Sequence, residues 1–85
     1  LLRVIRDRRD NPTDDSYTCK LFADENKRLK KVVEEAGEVL LAAKDRRAEE
    51  QSWEVADLIY HLMVAVEGME AGWEDVYRKL AERRR

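Results

Sequence analysis

Two pairs of acidic residues in this chain have the spacing of neighbours on one face of a helix. Glu35 and Glu38 are three positions apart, and so are Glu54 and Asp57, so the carboxylates of each pair would lie one turn apart. If the two helices run antiparallel, four carboxylates meet. Such a group needs a compensating cation, and Mg²⁺ is the usual ion on oxygen ligands where phosphates are handled. The spacing thus predicts a magnesium site, and a solvated helix face rich in Glu and Lys is the alternative.

Basic residues lie next to these acids. On a helical wheel of about 100° per residue, Lys27 and Lys31 fall beside Glu35 and Glu38, at the edge of an apolar stripe. Their ammonium groups would supply positive charge for phosphates bound at the same place.

Asp57 and His61 lie about one turn apart on the predicted helix that also carries Glu54. Leu58, Ile59 and Leu62 flank Asp57, so we expect an enclosed carboxylate that is costly unless it is paired or metal-bound. His61 is the only histidine. We expect it to be a hydrogen-bonded structural imidazole rather than a general base, and a single histidine does not fit a structural zinc site.

Helices must position these residues, because apolar side chains recur at intervals of three and four. In 26–44 that stripe continues for about five turns. From Val55 to Val66 the chain is apolar on nearly every side, which is typical of a helix in an interior or an interface. Gly37 lies in the middle of the first of these helices, where it would permit close approach of another helix.

Turn and capping residues predict where the helices begin and end. Asn11-Pro12 ends the first helix, because proline lacks a backbone donor and disfavours a helical residue before it. The stretch that begins at Asp24 fits either a bend or a helix cap. The predicted helices are 1–9, a short one through Tyr17, Leu21 and Phe22 capped by Asp14, Asp15 or Ser16, 26–44, 48–70 and 73–83.

The composition fits one small all-α domain, spanning 1–85. Of the 85 residues, 44% are apolar and 42% charged, with 3 Gly and 1 Pro, which is too few turn formers for a sandwich or barrel. The net charge of −2 gives no basis for binding nucleic acid or a membrane surface. One cysteine and no apolar leader or spanning stretch predict a cytoplasmic protein. We expect a bundle of three to five helices, completed by a second copy because the domain is small.

Several segments resemble a known family. The segments are SYT at 16–18, KKV at 30–32, EEAGEV at 34–39, AAK at 42–44 and EVADLIYHL at 54–62. In this order they resemble the phosphoribosyl-ATP pyrophosphohydrolases, which act at the second step of histidine biosynthesis and belong with the all-α, MazG-like nucleoside triphosphate pyrophosphohydrolases. Some relatives are fused to a cyclohydrolase, whose metal-binding cysteines and histidines do not occur in these 85 residues, so we expect a monofunctional chain.

The resemblance implies an activity and a role for each matching residue. The reaction would be hydrolysis of phosphoribosyl-ATP between its α and β phosphates, giving phosphoribosyl-AMP and pyrophosphate, in a homodimer. Mg²⁺ would be the cofactor. Glu34 would either support the metal ligands from outside or help orient the attacking water. The implied residues are Glu35, Glu38, Glu54 and Asp57 for the metal, Glu34, Glu38 and Lys31 for catalysis, and Lys27, Lys30, Lys31, Tyr17 and Thr18 for substrate binding.

Two other interpretations remain open at this point. The chain could hydrolyse free or damaged nucleoside triphosphates, as a MazG-like housekeeping enzyme would. It could also be a non-catalytic helical dimerisation module, whose acidic residues only solvate the surface.

Overall fold

Five helices and no strand make up the described part of the chain, which comprises residues 1–13 and 15–84 of a computed structural model. The all-α fold and all five predicted helices are therefore confirmed. The helices are α1 Leu2–Asp10, α2 Tyr17–Ala23, α3 Glu25–Lys44, α4 Ala48–Glu67 and α5 Trp73–Glu82.

Local caps explain where the helices begin. The Asp24 side chain accepts a hydrogen bond from the backbone N–H of Lys27 at 3.0 Å, so Asp24 is the N-cap of α3 and not a bend. Ser16 caps α2 by accepting from the N–H of Cys19. The proposed capping role of Asp14 lies outside the described residues. The fourth helix ends at Glu67 and not at residue 70, because Gly68 is its C-cap.

α3 and α4 form an antiparallel hairpin, which is the largest packing unit of the chain. Three residues connect them, and Arg46 takes the left-handed φ of 56° in this turn. Gln51, near the start of α4, donates to the Ala42 carbonyl near the end of α3. At the other end of the hairpin, Arg28 lies against Gly68. Residues early in one helix thus face residues late in the other, as a short connection requires.

A small core fixes α1 and α2 to one end of this hairpin. Ile5, Leu21 and Val64 are fully buried, and they come from α1, α2 and α4 respectively. Phe22 and Tyr60 pack against the same cluster. Since Val64 lies in the last turns of α4, the core lies at the end of the hairpin remote from its connection.

Much apolar surface stays exposed elsewhere. Trp53, for example, is 69% exposed in the single chain. Among the described residues, nothing lies within 4 Å of a Cβ built at Gly37, so the close approach of another helix that this glycine would permit does not occur within this chain. None of the helices in 1–13 and 15–84 combines the length and apolar character needed to cross a bilayer.

Candidate active site

Three carboxylates from two helices converge on the flank of the hairpin. Glu35 of α3 meets Glu54 and Asp57 of α4, and one oxygen of each lies within 4.8 Å of the others. Glu54 and Asp57 share a face because they are three residues apart, and the antiparallel packing brings Glu35 opposite them. The structure thus brings together three of the four carboxylates whose meeting the spacing predicted.

The fourth carboxylate, Glu38, stands beside this cluster. It does not join the group within 4.8 Å, but its negative charge acts on Glu54 more strongly than that of any other carboxylate. Loss of hydration raises the pKa of Glu54, and the charges of Glu38, Asp57 and Glu35 raise it further. The cluster therefore has the electrostatic character of a site that favours a cation.

Asp57 is more exposed than we expected from the apolar residues next to it in the sequence. It is exposed, whereas Glu35 and Glu54 are half-buried, so the expectation of an enclosed carboxylate was wrong for the single chain. Ile59 and Leu62, which were expected to enclose it, are themselves 46% and 37% exposed. Neither side chain belongs to the small core.

Lysines approach the cluster from α3. Lys31 Nζ lies 3.4 Å from Glu34, and Lys30 Nζ lies 3.8 Å from the other oxygen of the same carboxylate. Glu34 therefore holds two lysines and stays outside the group of three carboxylates. The negative charge of Tyr17 in its ionised form, followed by the contact with Glu34, raises the pKa of the Lys31 ammonium group. Lys27 lies farther out, with its Nζ 5.6 Å from the centre of the Tyr17 ring.

α2 contributes the two polar side chains that the family resemblance assigned to substrate binding. The Tyr17 hydroxyl lies 3.1 Å from His61 Nε2, and Thr18 Oγ1 lies 2.5 Å from the Tyr60 hydroxyl. Burial raises the pKa of Tyr17, while nearby Lys31 opposes the shift. His61 is a buried, hydrogen-bonded imidazole, as expected.

Sequence reasoning overlooked Tyr60 as a neighbour of this site. Its position three residues after Asp57 was a usable signal, because such residues share a helix face. Its partner on α2, however, follows only from how α2 packs on the hairpin.

The donor set fits a hard divalent cation. Carboxylate oxygens are ligands that Mg²⁺ and Ca²⁺ both accept, and Mg²⁺ commonly uses a few carboxylates together with water and substrate phosphates. Glu35, Glu54 and Asp57 leave one side of the group open to solvent through Asp57. Lys31 supplies a cation at the margin, so a polyphosphate could contact both.

Fold and site together define a class: an all-α bundle whose central antiparallel hairpin carries a carboxylate cluster with lysines at its edge. The family described as phosphoribosyl-ATP pyrophosphohydrolase matches residues 1–84. The chain belongs to that family, which confirms the resemblance seen in the sequence.

Similar proteins fall into two groups. A histidine biosynthesis bifunctional protein HisIE from Synechocystis is 55% identical over 86 residues, covering 100% of this chain and 40% of the relative. A phosphoribosyl-ATP pyrophosphatase from Pelotomaculum thermopropionicum is 48% identical, covering 99% of this chain and 87% of the relative. One from Haloarcula marismortui is 45% identical, covering 99% and 89%. The chain thus spans about two fifths of the bifunctional relatives, and the expectation that it is monofunctional stays a prediction.

Proposed function

We propose that this chain hydrolyses phosphoribosyl-ATP to phosphoribosyl-AMP and pyrophosphate in a Mg²⁺-dependent reaction of histidine biosynthesis. The observation that carries the proposal is the convergence of Glu35, Glu54 and Asp57 within 4.8 Å in a chain of this family. Relatives that the chain covers almost completely are named phosphoribosyl-ATP pyrophosphatase. Water would add across the bond between the α and β phosphates, releasing pyrophosphate and one proton.

Each residue group has a role that follows from its charge and position. Glu35, Glu54 and Asp57 would hold Mg²⁺, with Glu38 adding negative charge beside them. Once bound, the ion would neutralise phosphate charge and acidify a coordinated water. Lys31 would bind phosphate oxygens of the leaving pyrophosphate, and Lys27 and Lys30 would extend the positive surface.

Glu34 would orient both its lysine partners and the attacking water. Its carboxylate lies within 4.0 Å of Lys30 and Lys31, so part of its hydrogen-bonding capacity is committed to them. Its remaining lone pairs would accept a hydrogen bond from the attacking water.

The test is pyrophosphate release by the wild type, Asp57→Asn and Glu49→Gln, with Mg²⁺ and with a chelator. Glu49 is the matched control, since it is an exposed acid of the same helix outside the cluster. We expect Mg²⁺-dependent release that falls by about 100-fold in Asp57→Asn and stays near the wild-type rate in Glu49→Gln. Full activity in Asp57→Asn, or in chelator, would contradict the metal assignment.

The same assay with plain nucleoside triphosphates tests the substrate. A higher kcat/KM on these than on phosphoribosyl-ATP would favour the housekeeping alternative. No hydrolysis of either substrate would favour the non-catalytic dimerisation module.

We also propose that the chain is completed by a second copy. It exposes 6594 Å², whereas a compact monomer of 10.0 kDa exposes about 5200 Å². Its radius of gyration is 14.3 Å, against about 12 Å for a compact chain of this length. The excess surface exceeds the roughly 800 Å² per partner of a standard interface. Sedimentation equilibrium would reveal a monomer if the proposal is wrong.

A cytoplasmic location stays a prediction. It depends on the single cysteine and on the biosynthetic role proposed above.

A further inference from the structure

A chain of hydrogen bonds joins α2 to the backbone of the carboxylate cluster. His61 Nδ1 lies 2.7 Å from the backbone carbonyl oxygen of Asp57, and His61 Nε2 lies 3.1 Å from the Tyr17 hydroxyl. His61 is only 7% exposed, so water does not readily replace either partner. The position of the imidazole is therefore set by one residue of the proposed metal site and one residue of α2.

For the neutral imidazole, the chemistry of these groups fixes the direction of both bonds. A carbonyl oxygen can only accept, so His61 Nδ1 must carry the proton. A neutral imidazole then has an unprotonated Nε2 that can only accept. The Tyr17 hydroxyl must consequently donate its proton to His61.

This direction decides what Tyr17 can offer a ligand. With its proton committed to His61, the phenol oxygen presents only lone pairs to the surroundings. Tyr17 is 41% exposed, and Lys27 of α3 lies over its ring, with Nζ 5.6 Å from the ring centre. An ionised phosphate is acceptor-only, so Tyr17 cannot bind it through its hydroxyl hydrogen, whereas a sugar hydroxyl can donate to the phenol oxygen.

We propose that Tyr17 is a specificity-determining acceptor for a ribose hydroxyl of the substrate and that His61 is the positioning residue that enforces this role. The proposal rests on the function proposed above, and it divides the substrate between two kinds of group. Lysines bind the phosphates, and the phenol oxygen selects a substrate that carries a hydroxyl at the right place. Phosphoribosyl-ATP has two ribose units, so it offers such donors.

The first test measures the tautomer of His61 directly. Because His61 is the only histidine, the imidazole nitrogen signals in a ¹⁵N-correlated NMR spectrum need no assignment. We expect the Nδ1–H tautomer at neutral pH, and Tyr17→Phe should shift the Nε2 signal because it loses its donor. Tyr60→Phe is the matched control, since it removes the neighbouring hydrogen bond between α4 and α2 without touching His61 Nε2. An Nε2–H tautomer or an imidazolium would overturn the inference, whatever the activity.

The second test measures selectivity with phosphoribosyl-ATP and with analogues that each lack one ribose hydroxyl. For the wild type, we expect the KM of one analogue to exceed that of phosphoribosyl-ATP by about 3- to 10-fold, because one neutral hydrogen bond is lost. Tyr17→Phe should abolish that difference, with its effect on KM larger than on kcat, and Tyr60→Phe should keep it. His61→Gln should reduce the difference, because Tyr17 then loses its fixed acceptor.

The possible failures are distinguishable. If Tyr17→Phe weakens all analogues equally, Tyr17 only orients Lys31 and the selectivity proposal is wrong, while the proposed hydrolysis stands. If the wild type hydrolyses no phosphoribosyl-ATP, the proposed function and the ligand assignment both fall, and the NMR result still decides the direction of the hydrogen bonds.

Discussion

Two glycines of the hairpin provide a direct test of how α2 is held against it. A Cβ at Gly68 would lie 2.8 Å from Arg28 Nε and 3.1 and 3.2 Å from two other guanidinium atoms. Arg28 is only 9% exposed, and it donates from Nη1 to the carbonyls of Leu21 and Phe22, both at 3.1 Å. The guanidinium therefore ties the end of α2 to the hairpin, and Gly68 leaves it room.

The expected cost of Gly68→Ala follows from these distances. Ordinary contact begins at 3.4 Å, so Arg28 must retreat by about 0.6 Å, which would lengthen hydrogen bonds that are already 3.1 Å. Overpacking of this kind costs about 1 to 3 kcal/mol. Gly68 has φ of −93°, so alanine adds no backbone strain there. Gly37→Ala, with open space around it in the described chain, should instead stabilise α3 by about 0.5 to 1 kcal/mol.

Urea denaturation of both variants at equal protein concentration measures the difference. We expect the free energies of unfolding of the two variants to differ by about 1.5 to 4 kcal/mol. A double-mutant cycle assigns the cause: in an Arg28→Ala background, Gly68→Ala should cost almost nothing. An unchanged cost in that background would refute the role of Arg28. Destabilisation by Gly37→Ala would mean that a second copy packs against α3 at that position.

Two further predictions concern the part of the chain near α1. Glu67→Gln should lower the free energy of unfolding by about 1 to 2 kcal/mol in urea titrations, because the Glu67 side chain is 5% exposed and accepts hydrogen bonds from two arginines. Asp10→Asn is the control, because the ion pair between Asp10 and Arg9 is exposed. An equal loss in this control would contradict the reasoning. The backbone N–H of Thr13 donates to the Cys19 thiol and lowers its pKa below the ordinary 9.0. The thiolate stabilises the fold at high pH, and that contribution is lost as the pH falls through the lowered value. Alkylation by iodoacetamide should therefore begin at lower pH than for a small thiol. Thr13→Pro, which lacks the donor, should shift the profile toward higher pH, although Ser16 and Arg8 still lower the pKa. Identical profiles of the wild type and Thr13→Pro would refute the assignment.

The sequence allowed the helices and most of the carboxylate cluster to be predicted for one reason: both depend on helical spacing. Glu54 and Asp57 share a face wherever α4 lies, and a connection of three residues makes α4 return beside α3. The pairing of Glu35 with them follows. Glu38 shows the limit of this argument, because a few ångströms decide whether a side chain joins a cluster, and spacing does not resolve such distances.

Other features depend on packing between elements that are distant in sequence. The contact between Tyr17 and His61 spans 44 positions, and it depends on how α2 packs on the hairpin, where Leu21 and Val64 share the core. The burial of Arg28 likewise has no signal in a stretch rich in lysine and arginine. Asp57 was expected to be enclosed because its neighbours are apolar, but apolar neighbours do not reveal whether they pack within one chain or against another.

The acidic residues of the candidate site and the buried apolar residues lie in different halves of α4. This division explains how the helix tolerates the repulsion between the carboxylates. Val64, Ala65 and Val66 are buried near its C-terminal end, whereas Glu54 and Asp57 lie in the half with exposed apolar side chains. Packing at one end fixes the helix, so the other end can hold carboxylates that repel one another. His61 stands between the halves, buried like the core and hydrogen-bonded toward the site. A change in the core that rotated α4 would therefore move Asp57 and Tyr17 together, because the same imidazole contacts both.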